Sequence, residues 1–201
     1  MSGRAEIFGK IKAAIAPMKD RAVYPEYDRR MAEPGWLAQE TDMVALFARR
    51  LTLTGGVAFD EVPALAEWLK AQEARCVYVD PSLRELVRPL DGVVKMVFEY
   101  SREAVDEIDT ALTVASGGIA ETGTIILTDQ DTPDRLAALA PWRHVAVLRK
   151  EQIYRSIGDA IAAMPSDPGV IWVTGPSKTA DVEGILIQGV HGPGVQGCLV
   201  V

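Results

Sequence analysis

Histidine and cysteine are scarce in this chain, with two of each among 201 residues. Cys76 and Cys198 stand far apart, as do His144 and His191, so no zinc ligand set and no iron–sulfur cysteine run can be written from them. Both cysteines lie in apolar, strand-like runs, which predicts buried free thiols rather than a disulfide and suits a reducing compartment. Positive charge is also short. Lys and Arg number 21 against 28 Asp and Glu, a formal net charge of −7 with no basic cluster, so no nucleic-acid partner is expected. No apolar run reaches the length of a membrane span, and Met1 to Lys10 lacks the apolar core of a signal peptide, so a cytoplasmic location is expected. Internal repeats and low-complexity tracts are absent. What is present is an ordinary globular composition, 48% hydrophobic and 24% charged, long enough to build a core without metals or disulfides.

Arg4 to Pro17 predicts a short helix with Ile7, Phe8, Ile11 and Ile15 on one face. Met18 to Gly35 reads as an extended surface connector, and Trp36 to Arg50 as a second helix. From Leu51 short strands and helices alternate. Leu51 to Thr54 is expected as a strand closed by Gly55-Gly56, followed by a helix with Val62, Leu65 and Leu69 facing inward. Cys76–Val79 and Val93–Phe98 read as strands, and Ser82 with Glu85 as the capping box of a helix between them. Ala111–Ala115, Thr124–Leu127, His144–Leu148 and Val170–Val173 are strand-like. Thr132 is placed to cap a helix starting at Pro133, and Ile153, Ile157, Ile161 and Met164 form a helical stripe. Ile185–Gly189 and Leu199–Val201 read as late, hairpin-like strands. The fold class expected is α/β, a mostly parallel mixed sheet with helices on both faces plus N-terminal helices. Residues 1–50 are expected as a helical extension packed on an α/β domain at 51–201, a single structural domain overall.

Two glycine-rich runs carry the first signs of a site. In Gly117-Gly118-Ile119-Ala120-Glu121-Thr122-Gly123-Thr124, Glu121 is a carboxylate in a glycine-lined, apolar setting. That makes it a candidate acid, base or nucleophile, or else a carboxylate that accepts backbone N–H groups to fix a tight bend. Gly117, Gly118, Thr122, Gly123 and Thr124 are candidate ligand contacts, because glycine lets a ligand approach the backbone. In Gly175-Pro176-Ser177-Lys178-Thr179-Ala180-Asp181, Ser177 or Thr179 is placed to cap a short helix while N–H groups, hydroxyls and the Lys178 ammonium hold an anion. The run lacks the earlier glycine of a P-loop. Pairing of Lys178 with Asp181 or Glu183 is the structural alternative. A third run, Gly189-Val190-His191-Gly192-Pro193-Gly194, offers His191 as a proton carrier or oxyanion donor, whereas His144 opens a strand and reads as structural. The four tryptophans, Trp36, Trp68, Trp142 and Trp172, read as core or interface anchors.

Those three runs, in that order, make the chain resemble the LUD-domain family, of the lactate-utilisation protein C type. The resemblance implies a fold like that of ribose-5-phosphate isomerase and the CoA transferases. It implies a role as an accessory or substrate-binding subunit in oxidising L-lactate to pyruvate. The implied partners are a small organic acid (lactate or pyruvate) and proteins that carry the iron–sulfur clusters, with no cofactor bound by this chain. Glu121 and His191 are then the catalytic candidates; Gly117, Gly118, Thr122, Gly123, Thr124, Gly175, Ser177, Lys178, Thr179 and Asp181 are the ligand-binding ones. A CoA-transferase or isomerase-like enzyme, with Glu121 as nucleophile, and a non-catalytic assembly factor stay open beside it. The three loops are expected to meet at the carboxyl edge of the sheet. After His191-Gly192-Pro193 the chain departs from the family, reading Gly194-Val195-Gln196-Gly197-Cys198 where charged residues are usual.

Overall fold

A computed structural model describes residues 3–18, 33–164, 169–180 and 184–201. The chain divides into two compact units, Met1–Ala32 and Glu33–Val201. The first contains helix α1 (Gly3–Ile15), in which no residue is buried and Ile7, Phe8 and Ile11 are half exposed. Most of the connector expected over 18–35 lies outside the described residues.

The second unit is built on a six-stranded, wholly parallel sheet. Its strands are β1 (Val57–Phe59), β2 (Cys76–Val79), β3 (Lys95–Val97), β4 (Thr110–Val114), β7 (Arg143–Leu148) and β12 (Val195–Val200), in the order β1-β12-β7-β4-β2-β3. Parallel strands covered on both faces carry continuous apolar runs, as Val145–Leu148 does. On one face α3 (Val62–Ala71) and the 3-10 turns Pro81–Leu83 and Arg88–Leu90 bury Leu65, Leu69, Leu83, Val87 and Leu90 against Leu112, Val145, Val147 and Leu199. The opposite face meets α2 (Met43–Leu53), α4 (Arg135–Leu139) and a second sheet. That sheet has the order β8-β5-β6-β9, from β5 (Gly117–Ile119), β6 (Thr124–Thr128), β8 (Ile153–Tyr154) and β9 (Val170–Val173). Phe47 and Leu51 of α2 pack with Ile125, Ala146, Leu148 and Cys198 in this layer. Helix α5 (Ile157–Ala163) contributes Ala160 to a small cluster with Ile119 and Ile126, and β10 (Lys178–Ala180) with β11 (Leu186–Gln188) forms an antiparallel hairpin. The α/β class and the mostly parallel sheet expected from the sequence are therefore present, and both cysteines are buried free thiols.

Several local expectations are corrected. The helix expected over Trp36–Arg50 is a 3-10 turn at Gly35–Gln39 and then α2, because Asp42 accepts the Ala45 amide and starts a new helix. Leu51–Leu53 is the last turn of α2 and Thr54 its C-cap, not a strand. Gly55, at φ 94°, ends α2 as the Gly55 and Gly56 amides donate back to the Thr52 and Leu51 carbonyls. Ser82 is not a cap but is capped: Asp80 Oδ1 accepts from its amide and hydroxyl, and only 3-10 turns follow. Thr132 spends its hydroxyl on the Val114 carbonyl, so α4 begins at Arg135 without a side-chain cap. Ser177 and Thr179 start no helix, since Lys178–Ala180 is a strand. The last strand is no hairpin arm; β12 lies inside the parallel sheet between β1 and β7.

Candidate functional site

The glycines of the first run are filled by the protein itself. A Cβ at Gly118 would stand 2.6 Å from Leu148 Cδ2, and one at Gly117 2.9 Å from Tyr154 Cε2. Gly123 turns the chain from β5 into β6 at φ 68°, and a Cβ there would run into the Leu51 backbone of α2. These positions therefore bring β5, β6 and α2 together, and no ligand is needed to explain them. Glu121 lies in the same turn, half-buried. Its Oε2 accepts the Ile157 amide at 3.0 Å, at the start of α5, where Ser156 also accepts the Asp159 amide. Favourable charge at a helix start and a satisfied N–H account for a carboxylate here.

The other side of the turn points elsewhere. Thr122 and Thr124 share a hydrogen bond between hydroxyls (2.6 Å), and Thr124 another with Thr174 (2.7 Å). Thr174 follows β9 and precedes Gly175, whose φ of 79° and close approach to Thr54 leave no room for a side chain. Lys178 Nζ donates to the Thr54 carbonyl at 3.2 Å, a cation at the C-terminus of α2. Thr179 pairs with Ile187 across the hairpin. Asp181 and Glu183 lie outside the described residues.

The second and third runs are joined directly. The Ser177 amide donates to the Pro193 carbonyl, and the Gly189 amide to the Ser177 carbonyl, so Ser177 is bracketed by both ends of the His191 turn. Trp142, half exposed, lies over Gly189 and Gly194, where any side chain would collide with its ring. The result is a cleft of about 210 Å³ whose lining includes Thr174, Gly175, Ser177, His191, Pro193 and Gln196. Leu139 and Trp172 are among its apolar lining residues. Neither Glu121 nor Lys178 is among the lining residues. The His191 turn leads into the first residue of β12, which runs parallel to its neighbours, so the cleft lies at the amino edge of the sheet and not at the carboxyl edge.

Gln196 escaped the sequence reading, and it ties the cleft to a buried polar chain. On adjacent strands Gln196 pairs with His144, and both are buried. Gln196 Nε2 donates to the Gly197 carbonyl, which turns Oε1 toward His144 Nδ1 at 3.0 Å. Nδ1 must then carry the proton, leaving Nε2 to accept from the Thr113 hydroxyl at 2.9 Å. Burial pushes the His144 imidazole down to about 4, with the Gln196 bond opposing the shift, so the ring is neutral near neutrality. The signal was available: a glutamine alternating with Cys198 in an otherwise apolar strand marks a buried polar group that needs partners.

Lactate utilization protein C of Deinococcus radiodurans is 35% identical over 98 residues, 46% of this chain and 46% of that protein. Lactate utilization protein C of an Exiguobacterium species is 33% identical over 103 residues, 47% and 45% of the two chains. The chain thus matches less than half the length of these relatives. An uncharacterized protein of Neisseria meningitidis serogroup B is 26% identical over 224 aligned positions, spanning 96% of this chain and 91% of that one. The crystal structure of a DUF162 family protein from Deinococcus radiodurans shares the fold, with a TM-score of 0.58 at 24% identity over 84% of this chain and 99% of that one. The LUD domain profile matches residues 59–201, from the end of β1 through β12 and including all three glycine runs; the chain belongs to the LUD domain family.

Proposed function

We propose that this chain serves lactate utilisation by binding a small hydroxy- or keto-acid in the cleft between Ser177 and His191. The observation that carries the reading is the joining of two separate motif runs, through Ser177 and Pro193, around a cavity sized for a small acid. The names of the relatives, lactate utilization protein C, support the choice of acid. The Ser177 hydroxyl and the Gln196 N–H not used by Gly197 are donors suited to a carboxylate. His191, on the lining of the cleft, is assigned the proton of the substrate hydroxyl, a role that an imidazole supports. Lactate gives up two electrons and two protons on becoming pyruvate; His191 takes the hydroxyl proton, and the C2 proton is assigned, with the two electrons, to the iron–sulfur partner proteins. Among the described residues no group of three or more His, Cys, Asp or Glu is arranged to hold a metal ion.

Titration calorimetry of the whole chain with lactate and with pyruvate tests the reading. Saturable binding that weakens about tenfold or more in Ser177→Ala and in His191→Asn is expected. Absence of binding by a folded protein, or unchanged affinity in both variants, overturns it. A second reading, a non-catalytic assembly factor, is favoured by the apolar surface around the cleft, where Trp142, Trp172, Leu186, Ile187 and Val190 are each more than a third exposed. Co-purification with cluster-bearing proteins without any acid binding distinguishes it.

A further inference from the structure

The parallel sheet has a second opening, at its other edge. After β2 the chain leaves through the turns Pro81–Leu83 and Arg88–Leu90 onto the face that carries α3, where Leu83, Val87 and Leu90 join the same core as Leu65 and Leu69. After its neighbour β4 the chain leaves for the opposite face, where Ala115, Ala120 and Ile125 pack with Phe47. Adjacent parallel strands whose connections depart to opposite faces leave a crevice outside their carboxyl ends, the place where open α/β sheets hold ligands. A cavity of about 240 Å³ lies there. Leu86, Val114, Val147 and Val201 give it an apolar wall; Ser82 and Arg149 are its polar residues.

The two polar residues differ in what they have left to offer. Ser82 directs its amide and hydroxyl to Asp80 Oδ1, at 2.9 and 2.6 Å. Arg149 is exposed, and among the described residues its guanidinium has neither an ion pair nor a hydrogen bond. A planar fork of five N–H donors beside an apolar wall matches a carboxylate attached to a short hydrocarbon. The Asp80 carboxylate at the Ser82 end repels an anion, which directs the acid group to Arg149. The cavity is smaller than the range of about 300 to 1,000 Å³ typical of drug-sized ligands, so the chain of the acid is short. We infer that the carboxyl-edge crevice is a binding site for a short-chain aliphatic carboxylate, held by Arg149. This site is separate from the Ser177–His191 cleft, and its existence does not rest on the reading proposed for that cleft.

The probe is hexanoate, with hexanamide as its uncharged counterpart, titrated into the whole chain and followed by amide ¹H–¹⁵N NMR. Hexanoate is expected to shift Leu86, Arg149 and Val201 saturably, with hexanamide weaker by about tenfold or more. Arg149→Gln, at an exposed position, is expected to keep the native spectrum and lose the same factor, whereas His191→Asn leaves hexanoate binding unchanged. The inference is overturned if no saturable shift occurs, if hexanamide binds as well as hexanoate, or if Arg149→Gln binds like the parent. It is equally overturned if the shifts centre on Ser177 and His191 and disappear in His191→Asn, which would place the acid in the other cleft.

Discussion

At Glu121 a single acceptor oxygen meets the Ile157 amide, and this bond sets the cost of changing it. Glu121→Ala leaves that amide without its partner and removes a negative charge from a helix start. A loss of about 1 kcal/mol is expected, read as a lower midpoint in urea. Glu121→Gln keeps an acceptor and should recover most of it. A nucleophilic role for Glu121 requires the carboxylate itself, so turnover at the parent rate in the Gln variant excludes that role. His144 makes a pH-dependent prediction. Its folded pKa, about 4, lies below the ordinary 6.5, so the folded form resists a proton that the unfolded chain accepts. The stability it confers is complete above pH 6.5 and declines as pH falls toward 4, by on the order of 3 kcal/mol. Urea unfolding between pH 7 and pH 4 should show that decline, and His144→Gln should flatten its slope even if the variant is less stable throughout.

Helix α2 and the β5–β6 turn fit together at Gly123, where backbone faces backbone. Gly123→Ala must both strain a φ of 68° and displace Leu51, a contact with no flexible side chain to yield. A loss of more than about 2 kcal/mol is expected, seen as a fall in Tm. The same join shows why some elements were legible and others were not. Strands β2, β4, β6 and β7 announce themselves as apolar runs bounded by turn residues, because both of their faces are covered, and β9 reads the same way although it is an edge strand with Trp172 partly exposed. The end of α2 misled, since Leu51-Thr52-Leu53 alternates like a strand and the two glycines after it suit either a strand end or a helix cap. The Ser82–Glu85 spacing misled because Asp80 competes for the same amide. The glycine runs were visible in the sequence, but what fills them was not. Tyr154, Leu148, Leu51 and Trp142 come from distant segments, and only the tertiary register brings them to those glycines. For the same reason Ser177 and His191 were found as residues while their meeting place was put at the wrong edge of the sheet.

For the molecule as a whole, every buried apolar residue among those described lies at or beyond Leu37. The unit Glu33–Val201 therefore carries its own core, and a protein beginning at Glu33 is expected to fold with a Tm within about 3 °C of the full chain, by circular dichroism. A drop of ten degrees or more would show that residues 1–32 stabilise that core. The chain order of the parallel sheet carries a further consequence. Among the described strands β1 pairs solely with β12, and β12 separates it from β7. A strand made early in synthesis thus waits for one made some 140 residues later, roughly ten seconds or more at ribosomal rates. Until residues 195–200 emerge, β1 has no neighbour and one side of β7 stays open to foreign strands. The sheet cannot close until β12 has been made, and the interval before then is when the growing polypeptide is most exposed to misassembly.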